Sequence, residues 1–87
     1  MNTKLLVVDD EEMILDVLVA QLNSHYPQID TAQNGMEALQ KISSQHYHAI
    51  LSDIQMPKMT GLQLLKELRS KGNSTPFIVL TAFGDKE

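Results

Sequence analysis

The chain has 87 residues, enough for one small domain. It contains no cysteine, which excludes a disulfide framework, a thiolate metal site and a cysteine nucleophile. Eleven acidic against seven basic residues leave a net charge of −4, which argues against direct binding to nucleic acid. No apolar run approaches the length needed to span a bilayer and the Met-Asn-Thr-Lys start is not a signal peptide, so a cytoplasmic location without membrane contact is expected.

Lys4 to Val8 reads as a strand, and the unbroken apolar run from Leu5 to Val8 suits one buried on both faces. Asp9, Asp10, Glu11 and Glu12 follow as a block of four acids, which needs solvent, a helix N-terminus or a cation beside it. Met13, Ile14, Val17, Leu18 and Leu22 then predict one broad apolar helix face, ending near Asn23–His25 before Pro27. Ile29 to Ala32 reads as a second strand. Asn34-Gly35 could signal a hairpin, but Met36, Ala38, Leu39 and Ile42 behind it have helical spacing, so Asn34 reads as a turn or N-cap residue. The helix should exit at Ser43-Ser44.

Ala49, Ile50 and Leu51 predict a third strand ending at Ser52-Asp53. A loop from Ile54 to Thr60 holds Pro57. Thr60 can cap a third helix with Leu62, Leu64, Leu65 and Leu68 as its apolar set, and Gly72-Asn73-Ser74 should end it. Phe77 to Leu80 predicts a fourth buried strand ending at Thr81. Strands alternating with helices imply an α/β fold, a parallel sheet with right-handed crossovers and helices on both faces.

In such a sheet, ligands bind outside the carboxyl ends of the strands. Those ends carry Asp9-Asp10, Asp53 and Thr81, so three carboxylates and a hydroxyl should converge on one edge. Gathered carboxylates raise one another's pKa unless a cation neutralises them. Hard oxygen ligands select Mg²⁺ or Ca²⁺, and a protein shell that leaves room for water suits Mg²⁺. A carboxylate beside Mg²⁺ is also a plausible nucleophile toward phosphorus. Each piece alone has a plainer reading. Asp9 and Glu12 have the spacing of a helix-capping pair, Asp53 could serve a loop, and Thr81 could be an ordinary strand-end hydroxyl. Lys58 reads as solvated surface. His25, His46 and His48 share neither a helix face nor metal-ligand spacing and read as surface or loop residues.

Taken together, the segments resemble a known family. Leu5-Leu6-Val7-Val8-Asp9-Asp10-Glu11 is similar to the first-strand motif of response-regulator receiver domains. Leu51-Ser52-Asp53-Ile54-Gln55-Met56-Pro57 followed by Gly61 is similar to their phosphoacceptor loop, and Val79-Leu80-Thr81-Ala82 to their fourth-strand hydroxyl motif. The resemblance runs the length of the chain in order and spacing. It implies a flavodoxin-like sheet of order 2-1-3-4. It implies Asp53 as the nucleophile that takes a phosphoryl group from a phosphohistidine on a sensor histidine kinase or phosphotransfer protein. Mg²⁺ would be held by Asp10 and Asp53, by Asp9 at least partly through water, and by the backbone carbonyl of Gln55. Thr81 would hydrogen-bond a phosphoryl oxygen. The module would assist only its own phosphorylation and dephosphorylation and is not expected to be a dedicated enzyme.

The departures are at the C-terminal side. Family members place a lysine at the end of a fifth strand, and the chain stops at Glu87 before any such strand; Lys86 cannot be carried over to that role. Residues 1–87 are therefore expected to form a single receiver domain lacking the fourth helix, fifth strand and fifth helix, or to be a piece of a longer regulator. Gln55 and Phe83 flank the site and could shape water access to it. A fourth strand without a neighbour would expose an apolar edge, which predicts a homodimer through that edge or through an exchanged element.

Three other functions fit the sequence less well. A receiver fragment without phosphorylation competence could serve dimerisation or scaffolding. An aspartate-nucleophile phosphatase would want a second carboxylate two residues after Asp53, where Gln55 stands, and no Gly-rich loop follows the first strand to bind a nucleotide.

Overall fold

The structure, a computed structural model, describes residues 3–56 and 59–80. The elements alternate as β1 (Lys4–Val8), α1 (Glu12–Leu22), β2 (Gln28–Ala32), α2 (Gly35–Ser44), β3 (Ala49–Asp53), α3 (Gly61–Ser70) and β4 (Phe77–Leu80). The strands form one four-stranded sheet in the order β2-β1-β3-β4, and every neighbouring pair is parallel. In register, Val8 pairs with Ala32 and Ser52, and Asp53 pairs with Leu80, so β1 and β3 end side by side. This is the flavodoxin-like arrangement expected.

Local chemistry sets the helix ends. Asn34 Oδ1 accepts the Glu37 N–H at 2.8 Å, making Asn34 the N-cap of α2 and not a hairpin residue. At α3, Thr60 Oγ1 accepts the Gln63 N–H while Gln63 Oε1 accepts the Thr60 N–H, a reciprocal capping box. That helix stops where Gly72 turns to φ +80°, and the Asn73 and Gly72 N–H groups reach back to the carbonyls of Leu68 and Arg69.

The alternation of side chains along β1 separates two layers. Leu6 and Val8 join Ile50, Ala32, Ala38, Leu64, Leu68, Met56 and Tyr47 in the main core, beneath α2 and α3. Leu5 and Val7 face the other way, toward α1. There Leu5, Ala49, Leu51 and Ile78 line a hollow of about 360 Å³ with Leu22 and Tyr26 at its border. Among the described residues β4 pairs only with β3.

Four apolar residues lie where the periodicity did not put them. In α1, Met13 is 79% and Val17 51% exposed, while Leu15 is buried with Ile14, Leu18, Val19 and Leu22 partly covered. Apolar residues occur almost all round this helix, so spacing alone leaves two candidate faces, and the contact with β1 selects the one carrying Leu15. Leu62 and Met36 are also exposed, because each sits in the first turn of its helix, ahead of the stretch that crosses the sheet.

Candidate functional site

The edge formed by the carboxyl ends of β1 and β3 gathers Asp9, Asp10 and Asp53. One carboxylate oxygen from each lies within 4.8 Å of the others. Asp9 is buried, Asp53 half-buried and Asp10 exposed. The Asp9 backbone N–H continues the sheet by donating to Ala32 O at 3.0 Å, and its Oδ1 accepts the Glu11 N–H at 2.9 Å. That bond spans the turn before α1. It is not a helix cap: the N-cap is Glu11, whose side chain caps nothing. The reading of Asp9 and Glu12 as a helix-capping pair therefore fails.

Electrostatics agree. Burial pushes the Asp9 carboxyl up to about 6; the Glu11 N–H pulls it down, and the nearby Asp53 and Asp10 charges push it further up. A site of this kind is relieved by a cation. Three hard carboxylate oxygens on one open edge fit a small divalent ion that keeps part of its water, as Mg²⁺ does.

Behind the carboxylates the β3–α3 connection folds back tightly. The Gly61 N–H donates to Ile54 O at 2.8 Å. A β-carbon at position 61 would collide with the Asp53 carbonyl oxygen and lie 3.2 Å from its carbon. The glycine after the loop is thus required by a close approach to the very residue that carries the nucleophilic candidate. Ser52, fully buried beside it, donates its hydroxyl to Asp53 O at 2.9 Å. Spacing arguments did not find Ser52, since a lone serine in an apolar strand carries no periodic signal.

Gln55 lies in the loop two residues past Asp53 with its side chain exposed. Thr81, Phe83, Lys86 and Lys58 lie outside the described residues. All three histidines are exposed. The His46 and His48 rings sit 5.3 Å apart, but His48 Nδ1 accepts the Lys4 N–H at 3.0 Å, which occupies the lone pair a metal would need. Among the described residues the aspartate trio is the one metal-competent group of three.

Comparison with known proteins agrees with this geometry. The family profile described as "Response regulator receiver domain" matches residues 5–87. The two-component response regulator PhoP of Pseudomonas aeruginosa is 39% identical over 82 residues, 94% of this chain and 36% of that protein. The CpxR homologue of Haemophilus influenzae, a transcriptional regulatory protein, is 41% identical over 83 residues, again 36% of its length. The chain thus spans about a third of these curated relatives. Among solved structures, the response regulator TrrA of Thermotoga maritima, in complex with Mg²⁺-BeF, superposes with a TM-score of 0.85 at 42% identity, covering 94% of this chain and 71% of that one. The chemotaxis protein CheY4 of Vibrio cholerae gives 0.87 at 33% identity, covering 98% and 72%.

Proposed function

The chain belongs to the response-regulator receiver family of two-component systems, and from that premise we propose that Asp53 is its phosphoacceptor. The observation that carries the proposal is the meeting of Asp9, Asp10 and Asp53 at adjoining strand ends. Asp53 attacks the phosphorus of a phosphohistidine on a sensor histidine kinase or phosphotransfer protein. An Asp53 oxygen–phosphorus bond forms, the phosphorus–nitrogen bond breaks, and the imidazole leaves. Asp10, Asp53 and the Gln55 carbonyl would hold Mg²⁺, with Asp9 assisting, in part through water. Mg²⁺ held there would neutralise carboxylate and phosphoryl charge that otherwise repel. The likeness to a relative solved with Mg²⁺-BeF supports this assignment.

The protein's own contribution is placement. Transfer through a loose transition state asks for alignment and charge stabilisation more than for acid–base chemistry. The Gly61 N–H fixes the Ile54–Gln55 peptide, and the Glu11 N–H fixes the Asp9 carboxylate. Thr81 would hydrogen-bond a phosphoryl oxygen, as the family resemblance implies. The module works as a signalling element in the cytoplasm, promoting its own phosphorylation and dephosphorylation, and is not a dedicated enzyme. Its copies pair through the β4 edge or an exchanged element. The phosphoacceptor role is tested by incubating the chain with Mg²⁺ and a small phosphodonor and measuring intact mass. A gain of one phosphate that Asp53→Asn abolishes supports it; no gain by a folded chain overturns it.

A further inference from the structure

Ser52 is fully buried, yet it occupies a position on β3 where its neighbour two residues back on the same face, Ile50, is apolar. Its register partners are Val8 and Val79, which offer no polar side chain. A buried hydroxyl in such surroundings is unfavourable unless it is hydrogen-bonded. Its bond is to Asp53 O at 2.9 Å, the same oxygen that Gly61 approaches too closely to tolerate a β-carbon. One residue further, Ile54 O accepts the Gly61 N–H at 2.8 Å. The Asp53–Ile54 peptide is thus held by the Ser52 hydroxyl, and the next peptide, Ile54–Gln55, by the Gly61 N–H.

Rotation about the Asp53 Cα–C bond is the first backbone freedom between the Asp53 carboxylate and the peptide units that lead to Gln55. Fixing Asp53 O fixes that rotation. It sets the direction in which the chain leaves Asp53 relative to the carboxylate, and so the relation between two of the assigned cation ligands. We propose that Ser52 is a positioning residue for the phosphoacceptor site, its hydroxyl setting the orientation of the Asp53–Ile54 peptide and through it the spacing of the Asp53 carboxylate and the Gln55 carbonyl. This rests on the assignment of Asp53 and its cation site made above.

The test compares Ser52→Thr with Ser52→Val. Both add a methyl group at the same buried place, and only threonine keeps the hydroxyl. Mg²⁺ affinity is measured by calorimetric titration, phosphate gain from a small phosphodonor by intact mass over time, and stability by urea unfolding. One lost hydrogen bond predicts that the valine variant binds Mg²⁺ and gains phosphate about three- to tenfold more weakly than the threonine variant, at a matched urea midpoint. Equal Mg²⁺ affinity and equal rate in the two variants overturn the role of Ser52. If the added methyl group unfolds both, Ser52→Ala against the parent chain reads the same difference, since alanine only removes the oxygen. A parent chain that binds no Mg²⁺ overturns the cation site itself, and one that binds Mg²⁺ without gaining phosphate overturns the phosphoacceptor reading; either outcome is separate from the comparison of threonine with valine.

Discussion

The Glu11 backbone N–H donates to Asp9 Oδ1 at 2.9 Å, tying the buried carboxylate to the turn that leads into α1. The bond favours the charged form, yet burial outweighs it and the Asp9 carboxyl titrates near 6 against an ordinary 3.8. The folded state thus binds a proton more readily than the unfolded state between these values. By linkage, the stability that protonated Asp9 provides is fully present below pH 3.8 and is lost as pH rises through about 6. With Mg²⁺ chelated, Asp9→Asn should be more stable than the parent at pH 7.5 by about 3 kcal/mol, and the gap should close toward pH 4. Asparagine can still accept the Glu11 N–H. Urea unfolding at the two pH values checks this; a constant gap contradicts it. Added Mg²⁺ should stabilise the parent more than the variant, which keeps Asp10 and Asp53.

Replacing a glycine in an exposed helix by alanine usually stabilises by about 1 kcal/mol. At Gly61 the sign should reverse, because the new β-carbon meets the backbone oxygen of Asp53, which can move only by displacing the loop. Gly61→Ala should lose about 1–3 kcal/mol in urea unfolding, in the range of other overpacked sites, and should gain phosphate more slowly. Gly35→Ala should lose less. Its β-carbon would approach the Met59 side chain at 2.7 Å, and part of that neighbour is a flexible thioether.

Far from the carboxylates, the Tyr47 hydroxyl donates to Asp30 Oδ2 at 2.6 Å with Lys4 Nζ 3.8 Å from the same oxygen. Burial, together with the Asp30 carboxylate, raises the Tyr47 pKa well above its ordinary value, so the ring stays neutral and donates. Tyr47→Phe should reduce stability by about 1.5–3 kcal/mol, the scale of a hydrogen bond to a charged group, while leaving Mg²⁺ affinity unchanged. A shift in Mg²⁺ affinity would contradict the separation of this cluster from the site.

The alternating order of strands and helices was legible because parallel strands read as unbroken apolar runs, Leu5–Val8 and Phe77–Leu80 among them. β1 is buried as expected, but the expected burial of β4 is not found, its residues being half-buried and Ile78 exposed. The acidic trio was legible because strand ends meet on one edge of such a sheet, so positions 9, 10 and 53 converge once the topology is known. What sequence reasoning missed depends on contacts between distant segments. Leu15 displaced Met13 and Val17 because β1 chose between two apolar faces. Tyr47 entered the core because Asp30 satisfies its hydroxyl. Ser52 and Gly61 take their meaning from the Asp53 carbonyl, which no local pattern reports. Thr81 and Phe83 lie outside the described residues.

On the α1 side of the sheet, Ile78 is 50% exposed and lines the hollow with Leu5 and Leu51. Exposed apolar surface continuous with a strand edge favours association. Sedimentation equilibrium at micromolar concentration should find a dimer that Ile78→Lys dissociates. A folded monomer at that concentration contradicts the proposed pairing.

The central claim is that Asp9, Asp10 and Asp53 act as one cation-neutralised site around a single nucleophile. The most direct measurement is the rate of phosphate gain from a small phosphodonor, followed by intact mass, as Mg²⁺ is raised from a chelated baseline. The expected result is a saturable rise from essentially no gain, lost in Asp53→Asn and shifted to higher Mg²⁺ in Asp10→Asn. Gain at full rate in the presence of chelator, or gain that survives in Asp53→Asn, would contradict the account.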